Sequence, residues 1–254
     1  MVTGTGGSNS ISVFFPAFND APSLPALIAR TFAVLEPRFP DFEVIIVDDG
    51  SRDNTADVLA GLEGVYGPRL RVIEHPENRG YGGALRTGFK NARNELVFYT
   101  DGDAQYDVSE LPVLLALMTS GVGLVNGYKI ERNDPWHRIV IGKVYNQCAR
   151  FLFRIRIRDI DCDFRLVRRE LVERLDLTST SGSVCVELVR KLELSGYEVR
   201  EAGVHHYPRL HGRSQFFRWR SLLHTFRELL ALHWRVVLAP RWQLYRAWLF
   251  PSST

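Results

Sequence analysis

The chain has 254 residues, 45% of them hydrophobic and 24% charged, with a formal net charge of +3, a balance that excludes a disordered or fibrous protein. That length accommodates one large domain with a proper core, or one domain and an appendage. The cysteines Cys148, Cys162 and Cys185 form no CxxC pair, which argues against a disulfide framework or a zinc site and reads as three reduced, buried thiols.

Residues 1–10, MVTGTGGSNS, are small, polar and Gly-rich, the composition of a flexible tail without the apolar segment of a signal peptide, so the protein is expected to stay in the cytoplasm. From residue 11 short β-branched runs alternate with helical patterns. The strands are ISVFFPAF, FEVIIVDDG, LRVIEH and ELVFYTDGD; the helices run through SLPALIARTFAVLE, NTADVLAGLEG and GGALRTGFKNA. Such βα repetition calls for a mostly parallel sheet covered by helices on both faces. Ligands of these sheets collect at the carboxyl ends of the strands, which puts Asn19, Asp48, Asp49, Asp101 and Asp103 on one rim.

A further helix, LPVLLALMTSG, and strand, VGLVNGY, follow, and then the pattern loosens over residues 134–160 into a loop and an amphipathic helix through RIVIGKVYNQCARFLF. Strand and helix resume in DCDFRLVRRELVERL and SVCVELVRKLELSG, and YEVREAGVHHY reads as a late strand. Residues 11–215 form the main domain on this reading, and 216–254 a basic amphipathic helical tail. From His206 onward Glu228 is the sole acidic residue against Arg209, Arg213, Arg218, Arg220, Arg227, Arg235, Arg241 and Arg246, interleaved with aromatic residues. Arginines beside Trp suit an anionic membrane surface, with the chain peripheral on its inner face. RNA is the competing partner for such a pattern, and no nucleic acid is expected. No apolar run approaches the roughly 18 residues of a spanning helix. The tail helix and the helix over 138–153 both offer an apolar face, either to the body or to a second copy in a homo-oligomer.

The chemistry sits at the rim. In VDDGSRDNT, Asp53 and Asn54 are placed to cap a helix, whereas Asp48 and Asp49 stand side by side, where repulsion favours a donor-rich ligand. NRGYGGALRTGF is a Gly-rich loop entering a helix: Gly80, Gly82 and Gly83 would let the backbone approach an anion, but it is neither a Walker A loop nor a GxGxxG turn. Asp101 and Asp103, one residue apart, can turn both carboxylates toward one Mg²⁺ or Mn²⁺ completed by diphosphate oxygens and water.

The motifs FFPAFND, VIIVDDGSRDNT, ENRGYGGALRTG and DGDAQYD, in this order and spacing, resemble the GT-A nucleotide-diphospho-sugar fold of glycosyltransferase family 2. They look most like its dolichol-phosphate mannose synthase and polyprenyl-phosphate branch. The resemblance implies that Pro16, Ala17, Asn19 and Asp20 line the nucleotide pocket and that Asp48 or Asp49 binds base or ribose. Asp101 and Asp103 would hold the metal on the donor diphosphate, with Gln105 beside it. Lys129, Arg138, Arg209 and Arg213 match that branch's basic positions, Arg209 and Arg213 lying in RLHGRS, and would clamp the acceptor phosphate and leaving diphosphate. An acceptor phosphate is already anionic and needs no base; a hydroxyl acceptor does, and then Asp161, Asp163 or Glu187 is the candidate. Glu187 also reads as a helix residue paired with Arg190 or Lys191, and His205, His206 and His211 read as ordinary strand and loop histidines. The expected reaction is inverting, metal-dependent transfer of a hexose from a UDP- or GDP-sugar to a polyprenyl phosphate.

Overall fold

The computed structural model describes residues 9–132, 136–209 and 219–239. The strands are β1 (Ser10–Ala17), β2 (Asp41–Asp48), β3 (Leu70–Glu74), β4 (Leu96–Thr100), β5 (Val122–Arg132), β6 (Phe164–Arg168) and β7 (Glu198–His206). The helices are α1 (Leu24–Leu35), α2 (Thr55–Tyr66), α3 (Tyr81–Asn91), α4 (Leu111–Leu117), α5 (Trp136–Phe153), α6 (Arg169–Glu173), α7 (Ser183–Leu194) and α8 (Trp219–His233), the last continuing as a π-helical turn over Trp234–Leu238.

The strands form one sheet in the order β3-β2-β1-β4-β6-β5-β7. β1 pairs in parallel with β2 and β4, β2 with β3, and β5 with β7; β6 alone runs antiparallel to both its neighbours. Successive side chains of a strand point to opposite faces, and here both faces are buried. Val13, Phe15, Val44 and Ile46 pack with Ile28, Leu35 and Leu111 on one side. Phe14, Ile45, Val47 and Tyr99 pack with Leu85, Phe89, Val184 and Phe153 on the other. α3 approaches β1 so closely that a methyl group on Gly88 would lie 2.3 Å from the Phe14 ring. This explains why a glycine is tolerated inside that helix.

In register, Ala17 stands beside Asp48 and Asp48 beside Glu74, so the loops leaving β1 and β2 emerge at one level, and Gly102 N–H donates to Pro16 O at 3.1 Å. The switch point between β1 and β4 therefore carries the carboxylate-rich loops. Three expectations are corrected. Ser10 already belongs to β1. Asn54 holds the cap position of α2 without a side-chain bond, while Asp53 accepts from Thr55 N and Oγ1. Cys148 is exposed on α5, whereas Cys162 and Cys185 are buried. The expected domain boundary at residue 215 lies outside the described residues. Beyond it α8 packs on the body: Leu232 is buried in the same core layer as Phe153 and Val184.

Candidate active site

The site begins where β1 ends. Asn19 adopts a left-handed backbone, φ 57°, which asparagine tolerates better than most residues. The turn is fixed from the next loop: Asn19 N–H donates to Ser51 Oγ at 2.9 Å, and Asn19 Oδ1 accepts from Arg52 N at 2.8 Å. Ser51 in turn donates from N and Oγ to Asp48 Oδ1 at 3.0 and 2.5 Å. Asp48, Ser51, Arg52, His75, Glu77 and Asn78 border a cleft of about 310 Å³.

Asp48 and Asp49 take different donors within the protein, Ser51 for the one and His75 and Arg79 for the other. Asp49 turns inward: its Oδ1 lies 2.7 Å from His75 Nδ1 and accepts from Arg79 N at 2.8 Å, while His75 Nε2 lies 2.9 Å from Thr87 Oγ1. Burial raises the Asp49 carboxyl above its ordinary value against these bonds. Of the pair, Asp48 borders the cleft and Asp49 ties the β2 loop to α3.

Gly80 and Gly82 also serve a different end from the one expected. A methyl group on Gly80, φ 78°, would lie 2.5 Å from Thr180 O, and one on Gly82 would lie 2.2 Å from Ser179 O. The glycines thus admit the backbone of residues 178–182, and Gly82 N–H donates to Thr180 O at 2.9 Å. Tyr81, between them, donates its hydroxyl to Asp101 Oδ1 at 2.8 Å.

Asp101 and Asp103 follow β4. Desolvation, then the neighbouring Asp163 and Asp103 carboxylates, push the Asp101 carboxyl well above the usual range. Asp103 is buried; its Oδ1 accepts from Gln105 N at 3.1 Å, and its Oδ2 accepts from Arg209 Nε and Nη2 at 3.0 and 2.6 Å. Arg209 Nη2 also lies 3.9 Å from Asp20, whose carboxyl burial lifts to about 6. Gln105 Nε2 donates to Tyr207 O at 3.0 Å, which binds the post-β7 segment to the post-β4 loop. Arg209 thereby supplies the countercharge to the cluster. Among the described residues no three His, Cys, Asp or Glu side chains form a complete metal site. The adjacent Asp101 and Asp103 carboxylates nevertheless fit a divalent cation held by two carboxylates, with the remaining positions filled by ligand oxygens.

The three candidate bases fare differently. Asp163 accepts from Arg165 and from Cys185 Sγ, the latter at 3.1 Å. Glu187 is buried; it accepts from Thr178 N and Ser179 N and pairs with Lys191 Nζ at 2.7 Å, and against the desolvation of burial these bonds hold its carboxyl below the usual range. It therefore braces the Thr178–Ser179 loop, and its partner is Lys191, one of the two expected. Asp161 is half-buried, and its carbonyl oxygen accepts from Lys129 Nζ at 2.7 Å, so Lys129 is anchored near the β6 approach. Arg138 lies on α5, with its side chain outside the described residues, as are Arg213 and His211. His205 Nδ1 lies 2.6 Å from Glu110 Oε1 at the surface.

Two residues central to this geometry were not singled out from the sequence. Arg165 is fully buried and donates to Asn126, Tyr99, Asp163 and Ile160 O; its signal is a charged residue inside the apolar run FRLV. Tyr81 is flagged by an aromatic residue wedged between the glycines of RGYGG.

A sheet with its carboxylate-bearing loops gathered at the switch point has the GT-A architecture, and solved structures agree. Glucosyl-3-phosphoglycerate synthase from Mycobacterium tuberculosis, in complex with Mn²⁺, UDP and glucosyl-3-phosphoglycerate, superposes with a TM-score of 0.68 at 19% identity over 90% of this chain and 80% of that one. Its complex with Mn²⁺ and UDP-glucose gives 0.67 at 18%, over 90% and 79%. Residues 12–176 match Glycosyl transferase family 2, and the chain belongs to that family. It is also similar to undecaprenyl-phosphate 4-deoxy-4-formamido-L-arabinose transferases. That of Aeromonas hydrophila is 28% identical over 81% of this chain and 62% of its own length. That of Serratia proteamaculans is 31% identical over 65% and 51%. The chain thus spans between half and two thirds of these relatives.

Proposed function

We propose that the protein transfers a hexose, with inversion, from a UDP- or GDP-sugar to a polyprenyl phosphate at the cytoplasmic membrane face. The observation that carries this reading is the contrast between an acidic rim countered, among the described residues, by the quarter-exposed Arg209 and two of the three candidate bases already committed elsewhere. Asp163 and Glu187 spend their lone pairs on Arg165, Cys185, Lys191 and backbone N–H groups. An acceptor that is already anionic has no need of them. The names of the undecaprenyl-phosphate relatives and the Mn²⁺ and UDP of the structural neighbours support the same assignment.

In this mechanism the cleft beside Asp48 and Ser51 receives the nucleoside, with Pro16, Ala17, Asn19 and Asp20 as its wall. Asp101 and Asp103 would hold Mg²⁺ or Mn²⁺, which supplies charge neutralisation on the donor diphosphate. Gln105 orients Asp103. Arg209, with Arg213 from the same segment, stabilises charge growing on the leaving nucleoside diphosphate. Lys129 and Arg138 hold the acceptor phosphate in line. An acceptor phosphate oxygen bonds to the anomeric carbon as the bond to the diphosphate oxygen breaks, and a single displacement inverts the centre.

For the membrane contact, Phe226, Leu230 and Trp234 are exposed on the α8 segment, and Val144 and Phe151 on α5. These residues and Arg227 suit an interfacial position. Among the described residues no helix is long and apolar enough to cross a membrane.

The test is release of nucleoside diphosphate from a panel of UDP- and GDP-sugars with Mg²⁺ or Mn²⁺, with and without a short polyprenyl phosphate in detergent. Lipid-phosphate-dependent release that D103A abolishes is the expected result. Release indifferent to the lipid phosphate would move the acceptor to a hydroxyl or water and overturn the proposal.

A further inference from the structure

The segment Thr178–Ser183 is gripped from two sides. Glu187 holds Thr178 and Ser179 from α7. From α8, Glu228 Oε1 accepts from Thr180 N and Oγ1 at 2.9 and 2.7 Å, and Oε2 accepts from Ser181 N, Ser181 Oγ and Ser183 Oγ at 2.9, 2.6 and 2.7 Å. His224, one turn earlier, places Nε2 3.0 Å from Thr180 Oγ1, and Arg235 Nη1 donates to Thr178 Oγ1 at 2.7 Å. Five donors converge on one carboxylate of a helix whose exposed side chains, among the described residues, are apolar or basic. A charged acceptor so saturated is a strong clamp, and it drives the Glu228 carboxyl down to about 2.

What the clamp holds leads into the site. Thr180 O accepts from Gly82 N–H and touches Gly80, so it sets the entry of α3 and with it Tyr81, whose hydroxyl ends on Asp101. Ser183 opens α7, whose first turn carries Cys185, in contact with Asp163. One loop thus sets the side chains that bond two of the clustered carboxylates.

We infer that Glu228 is a positioning residue of the active site: through Thr180 and Tyr81 it holds Asp101 in place, so that the tail helix is part of the catalytic apparatus. Groups that orient a candidate metal ligand act at one remove, and their loss costs about 10- to 100-fold in metal affinity or activity. The turnover arm of the test rests on the function proposed above; the other arms do not.

The experiment compares wild type, the isosteric E228Q, E228A and Y81F. In the protein alone, hydrogen exchange should become several-fold faster at the amides of residues 80–83 in E228A, and less so in E228Q. Titration with Mn²⁺ should show about 10- to 100-fold weaker binding in E228A. In turnover, kcat should fall with the donor KM little changed. The E228Q/Y81F double variant should lose no more than the worse single variant, because both act on one path. A purely structural Glu228 would speed exchange only in residues 178–183 and α8, leave Mn²⁺ affinity unchanged and multiply with Y81F; any of these overturns the inference. Should wild type show no transfer to polyprenyl phosphate, the proposed function fails while exchange and Mn²⁺ affinity still decide the clamp.

Discussion

Replacing Arg209 with alanine should tighten cation binding while it slows the reaction, because the arginine now occupies the carboxylate a cation would use. Its Nε and Nη2 both donate to Asp103 Oδ2, at 3.0 and 2.6 Å. The side chain is only a quarter exposed, so the pair is weakly screened. A hydrogen bond to a charged group contributes about 1.5–3 kcal/mol, and a cation taking Asp103 must forgo much of this. Its absence in R209A should tighten Mn²⁺ binding by about tenfold, the lower end of that range at 1.4 kcal/mol per factor of ten. On the proposed mechanism the same change would remove positive charge from the leaving diphosphate, a loss worth about 10²–10³ in kcat for one oxyanion donor. Calorimetric titration of Mn²⁺ into R209A, R209K and wild type, with steady-state kinetics on the same samples, measures both effects. R209K, a single point charge, should fall between the other two. Mn²⁺ affinity that is unchanged or weaker in R209A would refute the reasoning.

Arg165 has no exposure and four acceptors, so R165M, which strands Asp163 and the Tyr99 hydroxyl, should cost about 3–5 kcal/mol in urea unfolding; a loss under about 1 kcal/mol would contradict the network. Asp20 is raised from 3.8 to about 6 by burial, so the folded state holds its proton more tightly and loses stability as pH rises from about 4 to 6. D20N should therefore be more stable than wild type at pH 7.5, by at most about 3 kcal/mol at 1.36 per tenfold of proton affinity, and equal to it near pH 3; a difference independent of pH would rule this out. Glu228 has the opposite sign: lowered from 4.5 to about 2, it stabilises fully above pH 4.5 and loses that contribution as pH falls through 2. Acid unfolding of E228Q should accordingly show a shallower slope between pH 4.5 and 2, and an identical slope would count against the clamp.

The sheet and its rim were legible because they follow from local pattern. Continuous apolar runs such as VIIV and LVFY are long enough for buried strands and too short for helices, and the carboxylates follow them directly. The direction of β6 was not legible, since a lone apolar run between two loops carries no sign of which way it pairs. Partner choice was hardest. Asp49 and His75 are 26 residues apart and meet because β2 and β3 are neighbours in register, a fact of topology with no trace in spacing. Gly80 and Gly82 advertised a close backbone approach correctly in kind, but the approaching oxygens belong to Thr180 and Ser179, about a hundred residues on. Glu187 was recognisable as a loop brace only once Thr178 and Ser179 were seen to aim their N–H groups at it. Cys148 is exposed because α5 turns it outward, whereas Ala149 beside it is buried.

Two arginines serve different carboxylates of one cluster, and they differ in how firmly they are held. Asp101 lies in a desolvated setting where the Asp163 and Asp103 carboxylates raise its proton affinity further, which left alone would favour a neutral acid over a cation site. Arg165 answers Asp163 with a guanidinium that has no exposure and four acceptors; releasing it would break all of those bonds at once, so the pairing is permanent. Arg209 answers Asp103 from a segment three residues beyond β7, through a single carboxylate oxygen, with a quarter of its side chain in solvent. The first is compensation for folding, the second is compensation that a ligand can replace. On the proposed function, an acidic rim compensated in both ways would fold without a ligand and still yield Asp103, and with it Arg209, to an incoming diphosphate.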